Sequence, residues 1–223
     1  MQAVIFAKPP VPGEAKSRLA SAIGEIAAAS FARAALIDTI NRLAAVEPLT
    51  LSLSTSRPSS DWPLEAKRLP QRLQPPGDLG SKMTEAVEHA LTKHRSVMLW
   101  GADAPHFEPQ CPFGVIEALE EVDVVLCPSS DGGFYALGTR VPLSGLFNGI
   151  RWSTEVVCKE TRERCESAGL SVRLLYPNFD VDHVSDLNKL VRVVDKHPGR
   201  VPQVERWLSQ WRNEQHLGLG WPK

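Results

Sequence analysis

Aspartates that follow predicted strands are the residues of this sequence best suited to chemistry. Asp103 comes soon after the apolar run Val97–Trp100, which predicts a buried parallel strand. Asp180 and Asp182 follow a second predicted strand, Leu170–Leu175, and their spacing turns both carboxylates to one side if the segment is extended. Ligands of open α/β sheets bind at the carboxyl ends of the strands. Asp103 is therefore a candidate ligand of a metal or substrate, and the pair could bind one hard cation.

Turn formation and helix capping are the alternative roles for these acids, because aspartate is common in both. Asp103 could cap a turn or the next helix, and Asp182 or Ser185 could cap the helix that follows. For Asp186 we favour the cap, and for His183 a place in the turn.

A stiff basic loop follows the first predicted strand. Between Lys8 and Leu19 it contains three prolines and Gly13, which exclude a helix, together with Lys8, Lys16 and Arg18. Backbone N–H groups and three cations ahead of a helix could bind a phosphate chain, although the same charges could simply be solvated. The segment is not a P-loop, because no glycine precedes the lysine and prolines fill the turn.

Two glycine turns are further candidates. Asp78 and Gly80 lie in a turn that could contact a nucleotide, or that could simply begin a helix with Asp78 or Ser81 as its cap. Asp131, Gly132 and Gly133 could form an ordinary hairpin turn, or could let the backbone approach a ligand closely.

Strands and helices alternate along the chain, which predicts an α/β fold with a mostly parallel sheet. The predicted strands are Gln2–Ala7, Leu49–Ser54, a weaker one near Arg68–Leu73, Val97–Trp100, Val122–Cys127, one after Gly133, and Leu170–Leu175. The predicted helices are about Ile23–Val46, one ending near His94, Phe113–Glu121, one from Ser153 or Thr154 to Ala168, Leu187–Lys196 and Val201–Arg212.

Composition limits the class of protein. The chain of 223 residues is long enough for one core, and 25 basic against 26 acidic side chains give no overall attraction to nucleic acid or to an anionic membrane. We expect a single domain over residues 1–223, with a core of about 1–197 and a C-terminal helix and tail of about 198–223. Four scattered cysteines without metal-binding spacing favour a reducing, cytoplasmic location, and no signal peptide or membrane span is evident.

Several motifs together resemble the glycosyltransferase-like family known as the radical-SAM/selenodomain-associated transferases. The resemblance covers roughly residues 3–190, and Ala104 and Ser17 stand where members often carry Cys and Thr. The matching motifs are Phe6–Gly13 with Lys16–Leu19, Gly77–Gly80, Gly101–Pro105, Asp131–Tyr135, Trp152–Thr154 and Asp180–Asp182.

This resemblance implies a Rossmann-like GT-A fold of nucleotide-diphosphosugar transferases, a three-layer α/β/α sandwich, with a more distant similarity to phospholactate and phosphoenolpyruvate guanylyltransferases. It implies that Asp103, Asp180 and Asp182 hold Mg²⁺ or Mn²⁺. It also implies that the acceptor lies near one group of residues, which comprises Asp131, Gly132, Gly133, Trp152, Ser153 and Thr154.

The function expected from the sequence is metal-dependent transfer from a nucleotide-activated donor to a small-molecule acceptor. A nucleotide sugar is the favoured donor, with Lys8, Gly13, Lys16, Arg18, Asp78 and Gly80 as the nucleotide- and phosphate-binding residues. One alternative is a nucleotidyltransferase that joins a nucleoside triphosphate to a phosphorylated acceptor and releases pyrophosphate. A second is a nucleotide-binding regulatory module without turnover. We expect no nucleic-acid or membrane partner, and a homodimer is compatible with the sequence.

Overall fold

The structure is a computed structural model that describes residues 1–216. Its strands are β1 (Gln2–Ala7), β2 (Thr50–Thr55), β3 (Gln71–Leu73), β4 (Val97–Gly101), β5 (Val124–Pro128), β6 (Phe134–Thr139) and β7 (Val172–Leu174). Its helices are α1 (Ser17–Ile23), α2 (Glu25–Ala44), α3 (Leu64–Lys67), α4 (Leu79–Leu91), α5 (Cys111–Glu121), α6 (Val157–Ser167), α7 (Val184–Lys196) and α8 (Pro202–His216).

The seven strands form one sheet in the order β3-β2-β1-β4-β6-β5-β7. Its strands run parallel except for β6, which is antiparallel to both neighbours, β4 and β5. Of the two roles that the sequence left open for Asp131–Gly133, the structure shows the hairpin turn, and the close approach of this turn to a ligand stays a prediction. The turn between β5 and β6 therefore lies at the same edge of the sheet as the loops that follow β1, β4 and β7.

Helices cover both faces of the sheet, so the predicted three-layer α/β/α sandwich is confirmed. Alternate residues of the central strand point to opposite layers, as a period of two requires. Trp100 packs with α2 and α5 on one face, whereas Leu99 packs with α4 and α6 on the other. A third cluster joins α2 to α1, α7 and α8 on the outer side.

The long helix predicted over about Ile23–Val46 is present as α2 (Glu25–Ala44). A short helix that the sequence did not predict, α1, precedes it. Gly24 separates the two with a φ of 87°, a conformation that an L-residue rarely adopts, so the glycine permits a sharp change of direction. Because α1 begins at Ser17, the prediction that the loop extends from Lys8 to Leu19 was wrong for its last three residues.

The apolar stripe of the C-terminal helix packs inside the chain. Val204, Trp207 and Leu208 are buried, and the Trp207 ring meets Phe31 of α2 edge-on at 5.1 Å between centroids. This apolar stripe is therefore part of the core. The single-domain organisation stays a prediction, and residues 217–223 of the expected tail lie outside the described residues.

Over residues 1–216 we find no helix with the length and hydrophobicity that crossing a bilayer requires. The four cysteines are buried and form no disulfide.

Candidate active site

The loops after β4 and β7 meet at the carboxyl edge of the sheet. Asp103 lies in the turn after β4, and its carbonyl oxygen accepts a hydrogen bond of 3.0 Å from the Val181 amide. Val181 is fully buried, which fixes the two flanking acids, Asp180 and Asp182, beside this turn. One backbone hydrogen bond thus joins segments that are almost eighty residues apart, and the three predicted aspartates share one corner of the molecule.

Lys16 connects two of these aspartates. Its Nζ lies 2.5 Å from Oδ1 of Asp103 and 3.0 Å from Oδ1 of Asp182, and its side chain is only 5 % exposed. Burial by itself would lower the pKa of Lys16, but the two carboxylates outweigh burial, and the pKa is raised. The ammonium therefore stays charged and neutralises part of the acidic corner.

The backbone at Lys16 is unusual. Lys16 precedes α1 with a φ of 53°, in the left-handed region that a side chain disfavours. Ser153, also at the site, has a φ of 62°. Strained residues of this kind persist only where the surroundings hold them, and they concentrate at functional sites.

Arg18 extends the positive charge toward solvent. Its Nη1 lies 3.7 Å from Oδ2 of Asp182, and its side chain is 57 % exposed. Because long exposed side chains are weakly fixed, Arg18 can turn toward a ligand with little loss of stability. Of the three predicted cations, Lys16 and Arg18 therefore meet the acids.

Asp180 carries the most perturbed carboxyl of the site. Burial raises its pKa, and the negative charges of Asp103 and Asp131 raise it further, to about 7. Lys16 acts in the opposite direction. The corner thus contains more carboxylates than its two cations neutralise.

A hard divalent cation would suit these side chains in kind, because carboxylate oxygens are its preferred ligands and the negative charge is in excess. Among residues 1–216, however, no three acidic, histidine or cysteine side chains are arranged so that they could hold a metal ion. The ammonium of Lys16 lies where Asp103 and Asp182 would share such an ion. The role of the three aspartates as metal ligands stays a prediction.

A cavity of about 430 Å³ opens beside this corner. One end is acidic and the rest is largely apolar, a combination that is typical of small-molecule sites. The lining comprises Phe6, Arg18, Leu79, Met83, Leu99, Trp100, Gly101, Asp103, Asp131, Gly133, Phe134, Tyr135, Ala136, Leu137, Trp152, Ser153, Thr154, Glu155, Val157, Asp180 and Asp182.

The turn between β5 and β6 forms one wall of the cavity. Oδ1 of Asp131 accepts a hydrogen bond of 3.0 Å from the Gly133 amide, which closes the turn. Gly132 has a φ of 89°, and a Cβ there would overlap the backbone of Glu155. The amide of Cys158 also donates to the Gly132 carbonyl. The turn is therefore packed directly on the segment that starts α6, and the two predicted acceptor motifs form one continuous wall.

Asp78 and Gly80 support this wall from behind. Asp78 accepts from the Ser81 amide at 2.8 Å as the cap of α4, as predicted, and its other oxygen accepts from Nε1 of Trp152 at 3.2 Å. A Cβ on Gly80 would lie 2.6 Å from Cβ of Phe147 and 3.0 Å from the Trp152 ring. Neither residue is among the described lining of the cavity. Both position Trp152, and their contact with a nucleotide stays a prediction.

Lys8 and Gly13 are also outside the described lining. Lys8 is exposed, and Gly13, with a φ of 82°, lies beside the Glu25 side chain. The structure thus divides the predicted phosphate-binding set: Lys16 and Arg18 lie at the acidic corner, whereas Lys8 and Gly13 do not.

Glu155 is a cavity residue that the sequence analysis did not identify. The sequence contains one indication that Glu155 belongs to the site, namely its position directly after the motif Trp152–Thr154. The apolar wall was also missed, since Met83 carries the pattern of an ordinary core residue on α4 and Phe134 that of a strand. Only their placement at the edge of the sheet distinguishes them from other core residues.

The comparisons with known proteins show the family and the fold of the chain. A family described as "Uncharacterized protein conserved in bacteria (DUF2064)" matches residues 36–154, which is more than half of the chain. None of the curated proteins compared matches the sequence.

Solved structures show the same fold. A protein from Desulfovibrio desulfuricans G20, provisionally named a nucleotide-diphospho-sugar transferase, is 29 % identical with a TM-score of 0.86, and the match covers 95 % of each chain. A cytidylyltransferase from Leptospira borgpetersenii serovar Hardjo-bovis (strain JB197) is 10 % identical with a TM-score of 0.61, over 100 % of this chain and 98 % of that one.

A CMP:2-keto-3-deoxy-manno-octonic acid synthetase, solved in complex with CTP, is 12 % identical with a TM-score of 0.52, over 87 % of this chain and 98 % of that one. The last two likenesses show the fold alone. The chain therefore has the Rossmann-like fold of nucleotide-diphospho-sugar transferases, as predicted.

Proposed function

Since this chain belongs to the DUF2064 family and has the fold of nucleotide-diphospho-sugar transferases, we propose that it transfers a sugar from a nucleotide-sugar donor to a small acceptor, with a divalent cation. The observation that carries the proposal is the acidic corner of the cavity, where Lys16 and Arg18 meet Asp103 and Asp182. Cations stabilise the negative charge of a diphosphate, and this corner offers two basic side chains together with carboxylate ligands for a metal ion.

The side chains of this corner have separable roles in the proposal. Lys16 and Arg18 bind the diphosphate and stabilise the charge that develops as the sugar leaves. Asp103, Asp180 and Asp182 hold Mg²⁺ or Mn²⁺, which when bound supplies further charge stabilisation to the departing nucleoside diphosphate. An acceptor hydroxyl held by the opposite wall then replaces the diphosphate at the sugar carbon, and the reaction depends mainly on positioning and charge.

Charge on the acceptor wall favours sugar transfer over nucleotidyl transfer. Asp131 and Glu155 line this wall, and neither forms an ion pair with the side chains that the structure describes. Arg18 is the one basic residue in the described lining, and it faces Asp182. A phosphorylated acceptor would meet two carboxylates and no cation, which disfavours its binding. A neutral hydroxyl compound fits better.

Nucleotidyl transfer is the second candidate, because a cytidylyltransferase and a CTP-bound synthetase share this fold. The two reactions release different products. In the proposed reaction a nucleoside diphosphate appears, whereas nucleotidyl transfer from a triphosphate releases pyrophosphate.

The decisive experiment begins with thermal-shift measurements of nucleoside triphosphates and nucleotide sugars, each with and without Mn²⁺. A ligand that binds the folded chain raises its melting temperature by mass action. The ligands that bind are then incubated with mixed small acceptors, and nucleoside diphosphate and pyrophosphate are assayed separately. Release of nucleoside diphosphate from a nucleotide sugar supports the proposal. If pyrophosphate is released from a nucleoside triphosphate and no nucleoside diphosphate is released from any nucleotide sugar, the reaction is nucleotidyl transfer and the proposal is wrong.

A further inference from the structure

Lys16 occupies a position that a metal ion would be expected to take. Its ammonium is within 3.0 Å of carboxylate oxygens of Asp103 and Asp182, two of the three predicted cation ligands. A monovalent cation of the chain itself thus pairs with both carboxylates in the absence of any ligand and offsets half of their charge. The question is what happens to this ammonium when a metal ion and a phosphate chain arrive.

We propose that Lys16 is a displaceable internal cation that keeps the Asp103–Asp182 pair closed to divalent ions until a nucleotide phosphate draws the ammonium away. In the closed arrangement Lys16 pairs with the two carboxylates. In the open arrangement it pairs with phosphate oxygens, and the carboxylates become available to Mg²⁺ or Mn²⁺. The inference rests on the proposed function for the identity of the cation and of the phosphate.

Charge makes the two arrangements mutually exclusive. An ammonium and a divalent ion that share the same two carboxylates repel each other, so the metal cannot enter while Lys16 remains. Without Lys16 only the exposed Arg18 stays close to the two carboxylates, which favours uptake of a cation. With Lys16 in place, half of their negative charge is already offset, and an incoming metal ion would have to share both carboxylates with the ammonium.

The geometry makes exchange of partners possible. Asp103 and Asp182 have side chains that are 54 % and 34 % exposed and line the cavity, so an incoming ion can reach them although Lys16 is buried. Lys16 also lies at the start of α1 with a left-handed φ of 53°, outside the regular helix. A long flexible side chain at a helix end can change partners without a change in the fold.

The consequence is that nucleotide and metal bind cooperatively. A phosphate that engages Lys16 raises the affinity of the carboxylates for the metal, and by linkage the metal raises the affinity for the nucleotide by the same factor. Metal alone should bind weakly. This protects the site from binding a metal ion without its substrate.

The test measures Mn²⁺ alone, by electron paramagnetic resonance of the unbound ion, with no nucleotide present. Lys16→Met removes the charge and keeps the length of the side chain, and we expect it to bind Mn²⁺ about tenfold more tightly than the unmodified protein, or better. Lys93→Met is the control, because Lys93 is an exposed lysine outside the described lining of the cavity. It should change the affinity little. The double variant Lys16→Met with Asp103→Asn should lose the gain.

A second measurement uses the unmodified protein and does not depend on the variant folding. Acetic anhydride labels accessible amines, and the buried Lys16 should react slowly while the exposed Lys93 reacts fast. If Mn²⁺ and the ammonium compete, a high concentration of Mn²⁺ must increase labelling at Lys16 and leave Lys93 unchanged.

Equal Mn²⁺ affinity of the unmodified protein and Lys16→Met, or labelling of Lys16 that Mn²⁺ leaves constant or reduces, would overturn the inference. Neither result touches the proposed reaction, which the donor and product assays test separately. Conversely, if the protein turned over no donor, the proposed reaction would be wrong, but the measured competition between Lys16 and Mn²⁺ would be unaffected.

Discussion

Lys16 and Asp180 show how burial acts on two charges of the same corner. Lys16 stays ionised because two carboxylates contact its ammonium, so its pKa is raised despite burial. Asp180 is buried near Asp103 and Asp131, and the pKa of its carboxyl rises to about 7. A cation beside Asp180 would favour its ionised form. At the residue scale the site is therefore short of positive charge, which a metal ion would supply.

Asp103→Asn tests whether the site turns over substrate. We expect the rate of nucleoside diphosphate release to fall by a factor of about 100 or more, because a charged ligand of the cation and of Lys16 is lost. The melting temperature should fall moderately, because the buried Lys16 ammonium loses one of its two carboxylate partners. Glu117→Gln, on the exposed side of α5, is the control and should keep the rate. If Asp103→Asn kept both nucleotide binding and the biological effect of the protein, the result would indicate a regulatory module without turnover.

Gly132→Ala tests the packing of the acceptor wall. Gly132 has a φ of 89° and a Cβ there overlaps the Glu155 backbone, so we expect a loss of about 2–4 kcal/mol in the free energy of unfolding. Gly169→Ala is the matched control: its φ is 80°, but a Cβ there meets nothing within 4 Å. Its loss should be about 1 kcal/mol. Equal losses in urea unfolding would mean that the close contact with Glu155 is absent.

At the scale of elements, the buried Asp38 of α2 holds the start of α8. Its carboxylate accepts hydrogen bonds from the amides of Gln203 at 3.1 Å and Val204 at 2.9 Å, in the first turn of that helix. Burial raises the pKa of Asp38 to about 6, and these amides only partly oppose the rise. Helix docking thus places a carboxyl group where ionisation is unfavourable.

The pH dependence of stability follows from this shift. The folded chain binds the proton of Asp38 more tightly than the unfolded chain, whose carboxyl titrates near 3.8. The contribution of Asp38 therefore falls as the pH rises from about 4 to about 6, by about 2–3 kcal/mol. Asp38→Asn removes the titration and keeps a side-chain acceptor. In urea unfolding, the stability of the native sequence relative to Asp38→Asn should decrease over that pH range, and a constant difference would contradict the shift.

At the scale of the whole molecule, the site and the α8 layer occupy different parts of the fold. The cavity lies at the carboxyl edge of the sheet, and none of its described lining residues belongs to α8, which packs on the outer side of α2. Changes in α8 should therefore affect stability without changing the chemistry.

Trp207→Ala tests this separation. Trp207 is 3 % exposed and packs edge-on against Phe31, so we expect a loss of about 3–5 kcal/mol in the free energy of unfolding. Turnover per folded molecule should stay unchanged well below the melting temperature. Trp211→Ala, which removes a partly exposed ring stacked on Trp207, should lose clearly less stability. A fall in turnover equal to that of Asp103→Asn would show that α8 takes part in the site.

The amino-acid sequence by itself determined the alternation of strands and helices, the mostly parallel sheet and the position of Asp103 after the central strand. It offered the hairpin after β5 and Asp78 as a helix cap only as alternatives. These features depend on periodicity and on contacts between residues a few positions apart, which a sequence displays directly. The short helix α1 escaped prediction because it directly follows a segment whose prolines and glycine disfavour a helix.

Only the tertiary structure decided which charges meet. Lys8 and Lys16 belong to the same loop, and nothing local separates them, yet Lys16 reaches Asp103 and Asp182 while Lys8 remains exposed. The same is true of Glu155, which becomes a cavity residue because the Gly132 turn packs against its backbone. Such convergence depends on long-range contacts, such as the hydrogen bond from Val181 to Asp103, whose partners are distant in the chain.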